Sequence, residues 1–186
     1  MMTDFTRTQS TELGKSATEI SMMVEINAPI EKVWKEFVQI GDIYLNSPTV
    51  ASSYLSSEIT EGVGATRHME MSLIKGATLD ERVIKWDEAS KYMALEVYRI
   101  TRMPGVKTMG GDFGLEAKGD RTILRSTLNY SMTNSLLGFM NTVFMKRVFI
   151  KLWRSVLAGY KKHIETGIEI TNKTKLEMDQ VILIQR

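Results

Sequence analysis

The sequence predicts an α+β domain in which a curved, seven-stranded antiparallel sheet wraps around one long C-terminal helix, with two short helices after the first strand. Three observations predict it. Apolar residues alternate over 18–26, a run of alternating segments punctuated by turn residues fills 50–132, and an amphipathic stretch spans 135–166. Short connections favour antiparallel neighbours. A curved sheet packed on a single amphipathic helix buries both apolar faces.

Each element follows in order. Ile20, Met22, Val24 and Ile26 share one parity and form a one-sided strand. Asn27-Ala28-Pro29 ends it, and Pro29 suits the first turn of a helix, where a missing N–H costs nothing. Val33, Trp34, Phe37 and Val38 recur at helical spacing and Gly41 is a stop signal. A second short helix through Ile43, Tyr44 and Leu45 is closed by Ser47-Pro48. Turns at Glu61-Gly62-Val63-Gly64, Lys75-Gly76, Asp87-Glu88, Pro104-Gly105 and Lys118-Gly119-Asp120 separate strands near 50–59, 65–74, 77–86, 91–100, 107–117 and 121–132. Gly110-Gly111, inside a strand, predicts a bulge or bend. The long helix is expected from Ser135 to Thr166. At about 100° per residue, Leu137, Met145, Val148, Phe149, Leu152, Val156, Tyr160 and His163 share a broad face. Arg147, Lys151, Arg154, Lys161 and Lys162 lie mostly opposite, where they form a solvated face or touch anionic lipid.

Composition narrows the chemistry. The 186 residues are 43% hydrophobic, and 24 Lys+Arg stand against 22 Asp+Glu. That balance does not suit a protein built to hold nucleic-acid phosphates. The absence of cysteine excludes disulfides, thiolate nucleophiles and Cys-based zinc sites. Two histidines, His68 and His163, are too few for a metal cage. What stands out is 13 methionines, flexible side chains that fill or vacate irregular apolar space.

The chain divides into a polar leader at 1–16, a domain at 17–166 and a tail at 167–186. The leader lacks the apolar core of a secretory signal. No apolar run reaches the length of roughly 18 residues that a membrane span needs, so cytoplasm is the expected location, without stable membrane insertion. Val181-Ile182-Leu183-Ile184 in the tail reads as a late strand, a strip docked on another surface or a homodimer contact.

Four pieces in this order resemble the START-like or SRPBCC superfamily, the helix-grip fold of birch-pollen allergens, polyketide cyclases and plant abscisic-acid receptors. The opening Val24-Glu25-Ile26-Asn27-Ala28-Pro29-Ile30-Glu31-Lys32-Val33-Trp34 looks like the family's strand, Ala-Pro and Val-Trp helix. Gly62-Val63-Gly64-Ala65-Thr66-Arg67 is similar to its Gly-x-Gly-x-x-Arg turn. Leu79-Asp80-Glu81-Arg82-Val83-Ile84-Lys85-Trp86-Asp87 resembles its Glu-Arg-Val strand, and Gly119-Asp120-Arg121-Thr122 its approach to the last strand and helix. The resemblance covers residues 18 to about 166. It implies an elongated cavity between sheet and helix that receives sterols, lipids, polyketides or other apolar small molecules. The abscisic-acid receptors' carboxylate-holding lysine has no counterpart in Val50-Ala51-Ser52-Ser53, and their gating loop is replaced by Ile74-Lys75-Gly76-Ala77, so hormone reception is not expected.

Strand parity gives the expected lining: Arg67, Met69 and Met71 on the third strand and Leu79, Glu81 and Val83 on the fourth. Met93, Leu95 and Val97 follow on the fifth, then Met109 and Phe113. Leu124, Leu128, Tyr130 and Met132 come from the last strand, and Met145, Phe149, Leu152 and Val156 from the helix. Taken singly these are core residues; as a set they converge on one hollow. His68 and Glu70 fall on the other face, His68 solvated; Arg82, Trp86 and Arg99 are expected at the surface or edge. Arg67 and Glu81 are the charged exceptions inside, and a charge there requires a partner. The simplest account is a mutual ion pair. The resemblance adds that the glutamate of this motif contacts ligand in some members. His163 near the helix C-terminus fits capping.

The expected function is non-catalytic binding or carriage of a hydrophobic small molecule or lipid, with no cofactor. The alternative is a polyketide cyclase or dehydratase with Glu81 as general base, Arg67 as oxyanion or enolate partner and Tyr130 as a further hydroxyl. A third reading is a protein–protein module assembled through Val181–Ile184.

Overall fold

The computed structural model describes residues 18–103, 105–132 and 144–185. The leader, Leu137 with the expected first turns of the long helix, and Pro104 lie outside the described residues. The strands are β1 (Thr18–Ile26), β2 (Val50–Leu55), β3 (Thr66–Met71), β4 (Thr78–Asp87), β5 (Tyr92–Thr101), β6 (Val106–Lys118), β7 (Arg121–Met132) and β8 (Ile182–Gln185). Helix α1 (Ile30–Val38) and a 3-10 helix (Ile40–Leu45) follow β1, and α2 (Lys146–Thr166) follows β7.

The architecture is the expected α+β arrangement, with one more strand. The sheet has eight strands in the order β2-β3-β4-β5-β6-β7-β1-β8, antiparallel throughout. The eighth is the tail, which pairs with β1 at its otherwise open edge. Earlier in the tail the buried Ile170 donates its N–H to the Leu45 carbonyl at the end of the 3-10 helix at 2.8 Å, and Val181, just before β8, is buried. The tail thus forms a late strand, as one of its readings had it.

Parity explains the core. Ile20, Met22, Val24 and Ile26 are at most 1% exposed and face α2, and the β1–β7 register runs unbroken from Thr18↔Tyr130 to Ile26↔Thr122. Phe37 of α1 stacks on Tyr160 of α2 at 4.3 Å between ring centroids and meets Phe113 of β6 at 5.2 Å. α2 ends at Gly167, whose left-handed φ of 72° lets its N–H reach the His163 carbonyl. Nearby, Gly159 lets the helix approach the segment after the 3-10 helix: a Cβ there would stand 2.4 Å from the Asn46 carbonyl oxygen.

Gly110-Gly111 is not a bulge. Both ladders run through it without a shift, from Glu96↔Gly110 to Leu95↔Gly111 and from Gly110↔Asn129 to Gly111↔Leu128. A Cβ at 111 would crowd the Thr127 carbonyl at 3.1 Å, while the Trp153 ring lies at ordinary contact distance. The bulges fall elsewhere, including Asp80/Glu81 and Val83/Lys85 in the β4–β5 ladder.

Candidate ligand cavity

Between the concave face of the sheet and α2 lies a cavity of about 130 Å³. β3 contributes Arg67, Met69 and Met71 to its wall, and β4 contributes Leu79 and Glu81. Leu95, Met109, Phe113 and Leu128 come from the central strands, and Phe149, Leu152 and Val156 from α2. Strand alternation accounts for these positions.

Seven of the expected positions are not on the wall. Val83, Met93 and Leu124 are buried in the core instead, and Met132 packs against it. Tyr130 is also fully buried, its ring packed on Phe149 at 4.1 Å between centroids. Val97 sits at the β4–β5 bulge, where Asp80↔Arg99 gives way to Glu81↔Val97, and Met145 packs against the core at the start of α2. Parity alone does not register a bulge or the closure of a volume by neighbouring rings.

Other wall residues were not expected. Leu73, Ile74 and Met103 come from the β3–β4 and β5–β6 connections, where no periodicity assigns a face. Ile43, Ser47, Thr49 and Val50 close the side under the 3-10 helix. Trp153 joins them from α2, its indole in contact range of Gly111. The Trp153 Nε1–H is buried without a hydrogen-bond partner among the described residues.

Arg67 and Glu81 form the expected ion pair. They are direct partners in the β3–β4 register. Arg67 Nε donates to Glu81 Oε2 at 2.8 Å, a second guanidinium N–H bonds the same oxygen, and Nη1 donates to the Ile40 carbonyl at 3.0 Å. The side chains are 4% and 14% exposed. Tyr160 stands within reach of this pair and hydrogen-bonds Arg67, while burial pushes its hydroxyl up to about 12. The Glu81 carboxylate is thus committed through Oε2, whereas Oε1 has no hydrogen bond among the described residues.

Histidine chemistry lies elsewhere. His68, expected in solvent, is partly buried on the outer face, its Nδ1 2.6 Å from Asp80 Oδ1 and its ring tilted against Tyr54. Asp80 is buried there and so requires a partner. His163 bonds the Ile168 carbonyl through Nδ1 at 2.7 Å, just past the helix end. On the outer side of α2, Arg147 and Lys151 are exposed, while Lys161 is tied to the Glu25 carbonyl and to Glu165. Arg82 is exposed and bound to Glu96, and Arg99 is exposed, but Trp86 is drawn inward against Trp34 by the bulge after Val83.

The sequence matches the family described as "Polyketide cyclase / dehydrase and lipid transport" over residues 17–165. The chain belongs to this family. Solved structures of the same helix-grip fold include a protein from Thermus thermophilus, with TM-score 0.66 and 16% identity over 79% of this chain and 97% of that one. The ginseng major latex-like protein 151 from Panax ginseng aligns with TM-score 0.62 and 16% identity, again over 79% and 97%. The XoxI protein from Bacillus cereus aligns with TM-score 0.60 and 16% identity over 80% and 95%. At that identity the likeness is one of fold. No curated protein matches this sequence. In the polyketide cyclase/dehydrase and lipid transport family this fold is of the ligand-binding kind. No helix among the described residues is long and apolar enough to cross a membrane.

Proposed function

We propose that this protein binds or carries a hydrophobic small molecule or lipid in the cavity between the sheet and α2. The observation that carries the reading is an apolar cavity whose wall includes one buried ion pair, Arg67–Glu81. Its volume is that of a ring-sized guest, since an apolar cavity of about 150 Å³ takes up benzene. Drug-sized ligands occupy roughly 300–1,000 Å³. A larger guest therefore enters by moving Met69, Met71, Met103 and Met109, whose unbranched side chains change rotamer at low cost. Glu81 Oε1 supplies an acceptor for a guest that carries a hydroxyl.

The cyclase or dehydratase alternative draws support from Glu81 lying on the cavity wall. It is disfavoured by the two Arg67 donors on Oε2, which occupy that oxygen within the ion pair. Tyr130, the third candidate, is absent from the wall.

Native mass spectrometry of gently purified protein, followed by organic extraction, tests the reading. An apolar compound bound one-to-one is the expected result, and Leu152→Trp, which fills the volume from the helix side, reduces its occupancy. A wild-type protein that carries no guest and takes up no apolar probe would sink the proposal.

A further inference from the structure

The end of the cavity that opens to solvent differs in surface character from the rest of the molecule. Three segments meet there: the β3–β4 connection, the β5–β6 connection and the start of α2. Arg102 of the second lies against Gly76 of the first, where a Cβ would stand 2.7 Å from its guanidinium. α2 begins at this end: Phe149 in its first turn packs on Tyr130, near the end of β7. The other end of α2 is tied to the far end of β1, where Lys161 donates to the Glu25 carbonyl.

Apolar side chains stand in solvent around this mouth. Leu73 is 57%, Ile74 43% and Phe144 61% exposed, and the first two are also part of the cavity wall. Around them are the exposed cations Lys75, Arg102, Lys107 and Arg147, none in an ion pair among the described residues. There is no Asp or Glu in residues 71–79, 97–111 or 121–164. The contrast with the other end of β3 is direct: exposed Ile59 and Val63 are interleaved there with Glu58 and Glu61.

We propose that this mouth docks reversibly on an anionic lipid bilayer, with Leu73, Ile74 and Phe144 entering the headgroup region and the surrounding cations meeting lipid phosphates. The inference rests on the reading of the cavity as a site for an apolar guest. It adds the surface from which such a guest is taken up or to which it is delivered. An apolar tip ringed by cations without carboxylates is complementary to a negatively charged membrane. It is a poor fit to neutral lipid, for which the cations contribute no attraction. Contact at the mouth also places the guest's entry point in the bilayer, so an apolar molecule never crosses water.

The test is flotation of the full chain with vesicles of phosphatidylcholine alone and of phosphatidylcholine with phosphatidylglycerol, at low and high salt. The expected result is binding to the anionic vesicles that high salt weakens. Lys75→Glu with Lys107→Glu, both outside the cavity wall, lowers the partition coefficient by at least about five-fold per lost cation. Leu73→Asp lowers it as well, and Lys118→Glu, in the hairpin at the opposite end, leaves it unchanged. Equal binding to neutral vesicles, no vesicle binding, or equal loss in Lys118→Glu would overturn the proposal. So would light scattering showing that Leu73→Asp only separates a dimer. Native mass spectra of the same samples read the guest independently: a protein that carries a guest and ignores vesicles refutes the docking surface alone. One that binds vesicles but takes up no apolar molecule upholds the surface and refutes the cavity reading.

Discussion

Removing the carboxylate of Glu81 isolates the cost of the charge pair in the cavity wall. In Glu81→Ala the Arg67 guanidinium, on a residue 3% exposed, keeps only the Ile40 carbonyl and its neighbour Tyr160 as partners. Breaking a buried pair from one side costs about 3–5 kcal/mol, because the remaining charge is left uncompensated. With a urea m-value of about 2 kcal/mol/M, the unfolding midpoint falls by roughly 2 M. The double variant Arg67→Met/Glu81→Leu removes both charges and the desolvation they impose. It is expected to recover most of that loss, since apolar replacement of a buried pair is often neutral or stabilising by about 1–4 kcal/mol. Urea denaturation followed by circular dichroism reads all of these variants, and Glu81→Gln, which keeps a carbonyl acceptor for Arg67, falls between them. The reasoning fails if Glu81→Ala costs less than about 1 kcal/mol, or if the double variant is less stable than the single. A double variant that folds well but loses its guest assigns the pair to recognition rather than to stability.

Two further predictions concern the scaffold. Gly159→Ala gains about 1 kcal/mol of helix propensity. Its Cβ meets the Asn46 carbonyl at 2.4 Å and Pro48 at 3.2 Å, so overpacking of about 1–3 kcal/mol outweighs the gain; thermal melting should show a lower midpoint, and a higher one would refute the close approach. Asp112, buried on the outer face of β6, has its carboxyl pushed by desolvation from 3.8 up to about 6, against the opposing hydrogen bond from the Thr127 N–H. Its folded pKa is raised, so the folded state holds the proton more tightly and stability falls as pH rises from about 4 to about 6, by at most about 3 kcal/mol. Asp112→Asn should flatten that part of the stability–pH curve, and an unchanged slope would show that another group carries it.

The sequence was most informative where one face is buried along a strand. The parity of Arg67, Met69 and Met71 placed all three on the cavity wall because β3 is regular from Thr66 to Met71 and its register with β4 is unshifted. Prediction weakened where geometry depends on a neighbour. Val97 and Trp86 sit beside bulges that no local pattern announces, and the Gly110-Gly111 pair lies in an unshifted ladder where a Cβ at 111 would crowd the neighbouring Thr127 carbonyl. The tail strand was legible as a strand, but its place depended on β1 offering a free edge, which is a property of the assembled sheet. Leu73, Ile74 and Met103 belong to connections and acquire a face only when the sheet curves.

The methionine surplus now has a direction along the cavity. On β3 the inward residues run Arg67, Met69, Met71, so the ion pair and the mouth are four residues apart, about 13 Å of extended strand. Met71 ends β3, Met103 lies in the β5–β6 connection and Met109 is near the start of β6, so three of the four wall methionines cluster toward the open end. The opposite end is stiff. Phe37, Phe113, Tyr160 and Trp153 pack ring on ring, and Arg67 is pinned to Glu81, to Ile40 and to Tyr160. Aromatic rings and a bonded guanidinium do not move aside cheaply, whereas thioether chains do. Under the proposed reading, a guest entering from the mouth displaces methionines first and meets fixed polar groups last. Guest length is then tolerated at the soft end and the guest's polar terminus is selected at the stiff one. Substituting leucine at Met71 and Met103 should therefore narrow the range of guest lengths while leaving the preference for a polar head intact. The opposite pattern would mean that the guest lies the other way round or that selection resides at the mouth.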